Sequence, residues 1–207
     1  MHRSLALTLT LLLAAALSAA AQGKLYEHLD YGVEWGYTST FCEIYHYNYT
    51  SPSSGARIDS RDSYPAYKSN GHVNVFVGAR FARHFALDAL VGCAGIYEGR
   101  RVVPVTLRAS TFWRGYDRDG WKTFVEGGWC AGRSFADKPI WIAKLGSGYR
   151  IMLDRHFAMD SMFSLQGAHD HPLQVYDRLR EESVPDASLR RSDCSYLAAN
   201  FSVALCF

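Results

Sequence analysis

Apolar and polar residues alternate along most of this chain with a period of two, and clusters rich in Gly, Asp and Asn interrupt the alternation. Successive side chains of a strand point to opposite faces, so each run predicts a strand with one apolar face. The first run sets Tyr31, Val33, Trp35, Tyr37 and Phe41 against Gly32, Glu34, Gly36, Thr38 and Thr40. Comparable runs follow from Val73 to Phe81, Phe85 to Cys93, Val103 to Trp113, Trp121 to Trp129, Trp141 to Leu153, Phe157 to Leu165 and Leu197 to Phe207, eight in all. In each, the apolar face falls on odd-numbered residues, as it must if every turn preserves inside and outside.

The even-numbered face holds Glu34, Arg80, Asp88, Arg108, Lys122, Glu126, Lys144, Arg150 and Asp160, together with Gly36, Gly78, Gly92, Gly128, Gly146 and Gly148. A water-soluble sandwich or ligand-binding barrel would turn these charges outward. Three features favour the inverse. Aromatics gather at the run ends, with Tyr31, Phe81, Phe85, Trp113, Trp121 and Phe157 at one level and Tyr45, Tyr47, Tyr97 and Trp141 at the other, as in two interfacial girdles. Acids and bases nearly balance and are mixed with glycines, so they can neutralise one another inside a narrow barrel. Short connections at Arg83, Gly115 and Asp154 alternate with longer ones, notably Tyr49 to Asn70 and Ala168 to Arg191. The expectation is an all-β, closed, antiparallel up-and-down transmembrane barrel of eight strands, with both termini in the periplasm. Its lumen is expected to be plugged by the charged side chains, because eight strands enclose only enough room for side chains. The stretch from Thr50 to Asn70 reads as a surface loop, and Leu173, Tyr176 and Leu179 recur at helical spacing, which predicts a short loop helix.

The N-terminus changes the picture by supplying a route. Arg3, the apolar run from Leu5 to Leu17 and the small residues Ser18 to Ala21 make residues 1–21 a secretory leader, with 22–207 the barrel domain. After the leader no apolar run is long enough for a spanning helix, whereas barrel strands need only about nine to eleven residues. The formal charge of +2 becomes +1 without Arg3, and no basic block follows, which argues against a nucleic-acid partner.

The five cysteines have no C-x-x-C spacing. First and last strands must be neighbours in a closed barrel, which predicts a cross-strand disulfide between Cys42 and Cys194 and leaves Cys93 as a small lipid-facing residue. His169, Asp170 and His171, with Ser164 upstream, are the types of a base, an orienter and a nucleophile, and would suit a hydrolase acting on lipid A or phospholipid acyl chains. Adjacent polar residues on a loop are more often simply solvated, so no catalytic residue, cofactor or metal is expected. The functional expectation is a structural or surface-interaction role through the external loops, with an unidentified loop ligand. A narrow solute channel, a lipid-modifying enzyme and a soluble exported barrel holding an apolar ligand are the alternatives.

The C-terminal segment from Asn200, with Phe201, Val203, Leu205 and the terminal Phe207 alternating, resembles the assembly signal of outer-membrane barrels. That resemblance implies the barrel-assembly machinery and periplasmic chaperones as partners during biogenesis, and outer-membrane lipid thereafter. Pro104 to Arg108, Phe124 to Gly128 and Leu145 to Arg150 are similar to segments of the porin-family or OmpX/OmpA-type barrel domains common in Bacteroidota.

Overall fold

The computed structural model describes residues 29–97, 100–131, 139–172, 175–177 and 180–207; the expected leader lies outside them. In chain order the strands are β1 (Leu29–Thr50), β2 (Arg57–Ala82), β3 (Phe85–Tyr97), β4 (Arg100–Phe112), β5 (Gly120–Ala131), β6 (Ile140–Asp154) and β7 (Phe157–Asp170). Two short strands, β8 (Val175–Asp177) and β9 (Glu182–Val184), precede β10 (Leu189–Cys206). Eight of them close into an antiparallel barrel in the order β1-β10-β7-β6-β5-β4-β3-β2, and β8 and β9 form a separate ribbon. The seam runs from Gly32 opposite Cys206 to Tyr49 opposite Leu189. At its lower end Phe207 N–H donates to the Tyr31 carbonyl at 2.8 Å and Tyr31 N–H donates back at 3.3 Å.

The barrel is inside out relative to a water-soluble one. Val75, Leu145, Phe163 and Phe201 are 51–65% exposed on the outer face, while Glu34 and Asp160 are 1% exposed within. Small interior residues let the strands approach: a Cβ on Gly36 or Gly128 would strike the carbonyl of Phe201 or Val105 on the neighbouring strand. Around the lower rim the exposed Tyr31, Phe81, Trp113 and Trp121 form an aromatic row. Phe207 stacks there between Tyr31 and Phe157, with ring centroids 5.9 and 5.0 Å away.

Above the barrel the structure departs from the expected loops. The Thr50 to Asn70 stretch is mostly strand, because β1 and β2 pair, across one slip, up to Thr50 opposite Arg57. β3 joins β2 only from His72 downward, and β7 joins β10 only up to Asp170 opposite Cys194. The upper parts of β2, β1 and β10 therefore stand as a three-stranded wall. The segment from Cys42 to Thr50 alone supplies about 30 Å of strand.

A bulge at the foot of this wall overturns the odd-outward register of β1. Between Thr40 and Cys42 the pairing slips against both neighbours, and Pro65, which cannot donate to a ladder, lies opposite Cys42. Above the slip Ile44 faces out while Glu43, Tyr45, Tyr47 and Tyr49 turn inward and are buried or nearly so. Tyr45 and Tyr47 are therefore interior residues and not part of an upper girdle. Trp141 does stand exposed on the outer face, and the Tyr97 side chain lies outside the described residues.

Two further expectations fail. The last connection holds the β8–β9 ribbon and a short 3-10 turn at Asp186–Ser188 where a loop helix was expected. All five cysteines are free. Cys42 lies opposite Leu197 and Cys194 opposite Tyr45, so the two are three residues out of register, and Cys194 is buried inside the wall. A bridge would need them to face each other across one rung.

Candidate functional site

The barrel interior is a filled charge network. Arg108 forms an ion pair through Nη1 with Glu34 Oε2 at 2.6 Å and donates through Nη2 and Nε to Glu126 Oε2 at 2.6 and 2.9 Å. The other oxygen of Glu126 accepts from Lys144 Nζ at 2.9 Å and Thr106 Oγ1 at 3.0 Å. A second node is Asp160, which takes Lys122 Nζ at 2.5 Å and a bidentate pair from Arg150 at 2.7 and 2.8 Å. Buried charges are tolerable only when paired and hydrogen-bonded in this way. Asp88 also faces inward, beside Gly78, and Arg80 turns to Asp30 at 3.4 Å and Asp117 at 2.6 Å.

Aromatic rings fill the space between the charges. The Arg108 guanidinium lies 4.9 Å from the Phe124 ring centre, and that of Arg150 lies 4.5 Å from Phe112 and 4.0 Å from Tyr116. Phe76, Leu90, Phe124 and Met162 form an apolar layer beside the ion pairs. The lower mouth is a cleft of about 500 Å³ bordered by Asp30, Arg80, Tyr116, Asp117 and the outer ring of Phe207. Asp30 and the Tyr116–Asp117 turn were missed in the sequence because they lie at the strand margins, where alternation no longer says which way a side chain points.

The upper mouth is closed by a separate device. Tyr45, Tyr47 and Tyr49 from the wall meet Val102, Ile140, Ile142 and Tyr196 from the barrel and Val175 and Val184 from the ribbon. Tyr49 O–H donates to Asp177 Oδ2 at 2.6 Å, and Arg180 pairs with the same carboxylate at 3.1 Å. The Tyr49–Asp177 hydrogen bond and the apolar contacts tie the ribbon to the wall over the barrel mouth, while the Arg180–Asp177 pair closes the ribbon's own turn. Below it Tyr64 and Cys194 both donate to Glu43.

The hydrolase constellation is not assembled. Asp170 is buried on the inner face, whereas His169 and His171 lie on the outer one, and Ser164 lies buried inside, away from both. The structure instead brings Asp193 of β10 to the two histidines: its Oδ1 is 2.9 Å from His171 Nδ1. Burial opposes the charge of Asp193, but Arg191 and the two imidazoles outweigh it and hold the carboxyl below the usual carboxylate range. Cys93 is exposed on the outer face, and Phe201, Val203, Leu205 and Phe207 all lie on the outward side of β10.

No known family profile matches the sequence, and no curated protein matches it. Among solved structures, the chain is similar to the outer membrane protein OprG from Pseudomonas aeruginosa, at 11% identity and a TM-score of 0.46 over 86% of this chain and 95% of that one. It is also similar to the outer membrane protease OmpT from Escherichia coli, at 8% identity and a TM-score of 0.32 over 87% of this chain and 96% of that one.

Proposed function

We propose that the chain is an integral outer-membrane barrel with a sealed interior, acting at the cell surface through its wall and outer connections. The observation that carries this reading is the inversion of polarity: a continuous apolar outer face surrounds a core of five carboxylates (Asp30, Glu34, Asp88, Glu126, Asp160) and five cations (Arg80, Arg108, Lys122, Lys144, Arg150). In water that arrangement would leave the apolar face unsatisfied; in lipid every backbone group is paired within the closed sheet. An open channel is disfavoured by the filled interior and the ribbon over the mouth, and a soluble ligand carrier by the paired charges that occupy the lumen. The outward alternation ending at Phe207 suits handling by the barrel-assembly machinery and periplasmic chaperones.

Fractionation of cells producing the full chain tests the premise. It should be recovered with outer-membrane lipid and resist extraction by carbonate; recovery in the soluble periplasmic fraction would overturn the assignment. Added trypsin should reach the wall in intact cells, at Arg57 or Arg61, both exposed on β2. In planar bilayers the purified protein should leave conductance at the lipid baseline.

A further inference from the structure

We propose that His169, His171 and Asp193 form an outward-facing binding site for one divalent transition-metal cation, with Zn²⁺ the best match. One donor atom from each residue lies within 4.8 Å of the other two. The fold brings them together at the end of a ladder. His169 and His171 are two residues apart on β7 and share its outer face, and His169 pairs with Ser195, two residues from Asp193 on β10. The β7 ladder stops at Asp170, so His171 is released from pairing and reaches across to the carboxylate.

Each ligand is already oriented by a neighbour. Ser195 Oγ is 3.0 Å from His169 Nδ1, and His171 Nδ1 faces the Ser192 carbonyl at 3.2 Å and Asp193 Oδ1 at 2.9 Å, which leaves His171 Nε2 as the nitrogen for a metal. Arg191 Nε donates to Asp193 Oδ2, leaving Oδ1 turned toward the histidines. The two imidazoles meet edge to face with centroids 4.9 Å apart. Such outer contacts fix ring orientation in metal sites. Zinc bonds of about 2.0–2.1 Å in a tetrahedron place ligand atoms about 3.3 Å apart, so the cluster closes on an ion by side-chain rotations of roughly 1.5 Å at most. Two imidazoles with one carboxylate suit Zn²⁺ and its first-row neighbours, whereas Ca²⁺ and Mg²⁺ prefer all-oxygen shells.

Three protein ligands leave a coordination position free. His171 and Asp193 keep side-chain exposures of 23% and 22%, so that position opens to the outside. Trp141 marks the neighbouring rung, opposite His169, which sets the site at the upper margin of the apolar band. His46 of β1 lies opposite Asp193 across the seam and pairs with Asp59 at 2.7 Å, so it borders the site.

Untagged full-length protein in detergent micelles, stripped with a chelator, would be titrated calorimetrically with ZnCl₂ alone. The expected result is saturation at one ion per chain with micromolar or tighter affinity. His169→Ala, His171→Ala and Asp193→Asn should each weaken binding about tenfold or more, since loss of even an outer-contact residue costs that much. His156→Ala, in the exposed turn between β6 and β7 at the opposite end of the barrel, should bind as the parent does. Co²⁺ should give the visible absorption of a tetrahedral site in the parent and lose it in His169→Ala. Heat-modifiable migration on gels confirms that each variant is a folded barrel. No saturable Zn²⁺ binding by the folded parent, or unchanged binding in the three folded variants, would overturn the proposal.

Discussion

Arg108 satisfies two carboxylates at once, Glu34 and Glu126, in a site where its side chain is 4% exposed. Replacing it with Met keeps much of the volume but leaves two buried carboxylates with Lys144, the Thr106 hydroxyl and the more distant His72. Breaking such a set by removing one member costs about 3–5 kcal/mol, while replacing the whole set with neutral groups can cost nothing. Arg108→Met is therefore expected to lower the unfolding free energy measured by urea titration by that order, and the triple Glu34→Gln, Arg108→Met, Glu126→Gln to recover most of the loss. A triple variant as unstable as the single one would move the cost from unpaired charge to packing. The cysteines offer a second check at this scale. Cys130, Cys194 and Cys206 are buried and Cys93 is exposed on the apolar outer face. A lipid-soluble maleimide should modify Cys93 in membranes while a charged one does not, the three buried thiols should react only after unfolding, and reduction should leave the intact mass unchanged. That charges on even positions point inward was legible from alternation alone; which cation meets which carboxylate was not. Arg80 shows why: its partners, Asp30 and Asp117, come from a strand end and a turn.

The elements show where a period-two pattern stops being informative. Within the apolar band most outward positions are apolar, so strand number and facing could be read directly. Above the band that constraint lapses, and Tyr45, Tyr47 and Tyr49 continue the odd alternation although they face inward. Only the pairing slip between Thr40 and Cys42 distinguishes the two readings. The stretch from Thr50 to Asn70 looked like a loop because its Ser, Pro and charged residues lack an apolar face, yet the ladder to β1 and the tyrosine layer are enough to hold it as strand. Inserting one Ala after Phe41 adds a second unpaired residue at the slip and puts the alternation above it out of phase by one. The upper wall must then either turn its tyrosines outward or shift its pairing with β2 and β10, and both break the contacts to Val175 and Val184 of the ribbon. The expected result is a barrel that still forms, by heat-modifiable migration, while trypsin cleaves the wall and the last connection much faster. An unchanged digestion rate would mean that the bulge does not set the wall.

On the scale of the whole molecule, the question is which of two stacked barriers closes the barrel. The ribbon and tyrosines seal the upper mouth through contacts anchored at Asp177, and the ion pairs around Arg108 and Asp160 fill the middle. They differ in kind: the first is a surface ribbon held by apolar contacts and the Tyr49–Asp177 hydrogen bond, the second is built from side chains on five barrel strands and cannot move without unpairing buried charge. Replacing residues 173–188 with a short Gly-Ser linker should therefore expose Tyr45, Tyr47 and Tyr49 without opening a path for ions, and conductance in planar bilayers should stay at baseline. Adding Glu34→Ser, Arg108→Ser and Glu126→Ser to that deletion empties the central layer while removing two acids and one base together, and small conductance steps should then emerge. If the ribbon deletion conducts on its own, the charge layer is not a seal. The ribbon would then be a gate held by the Tyr49–Asp177 hydrogen bond, and the proposed surface role would give way to a gated channel.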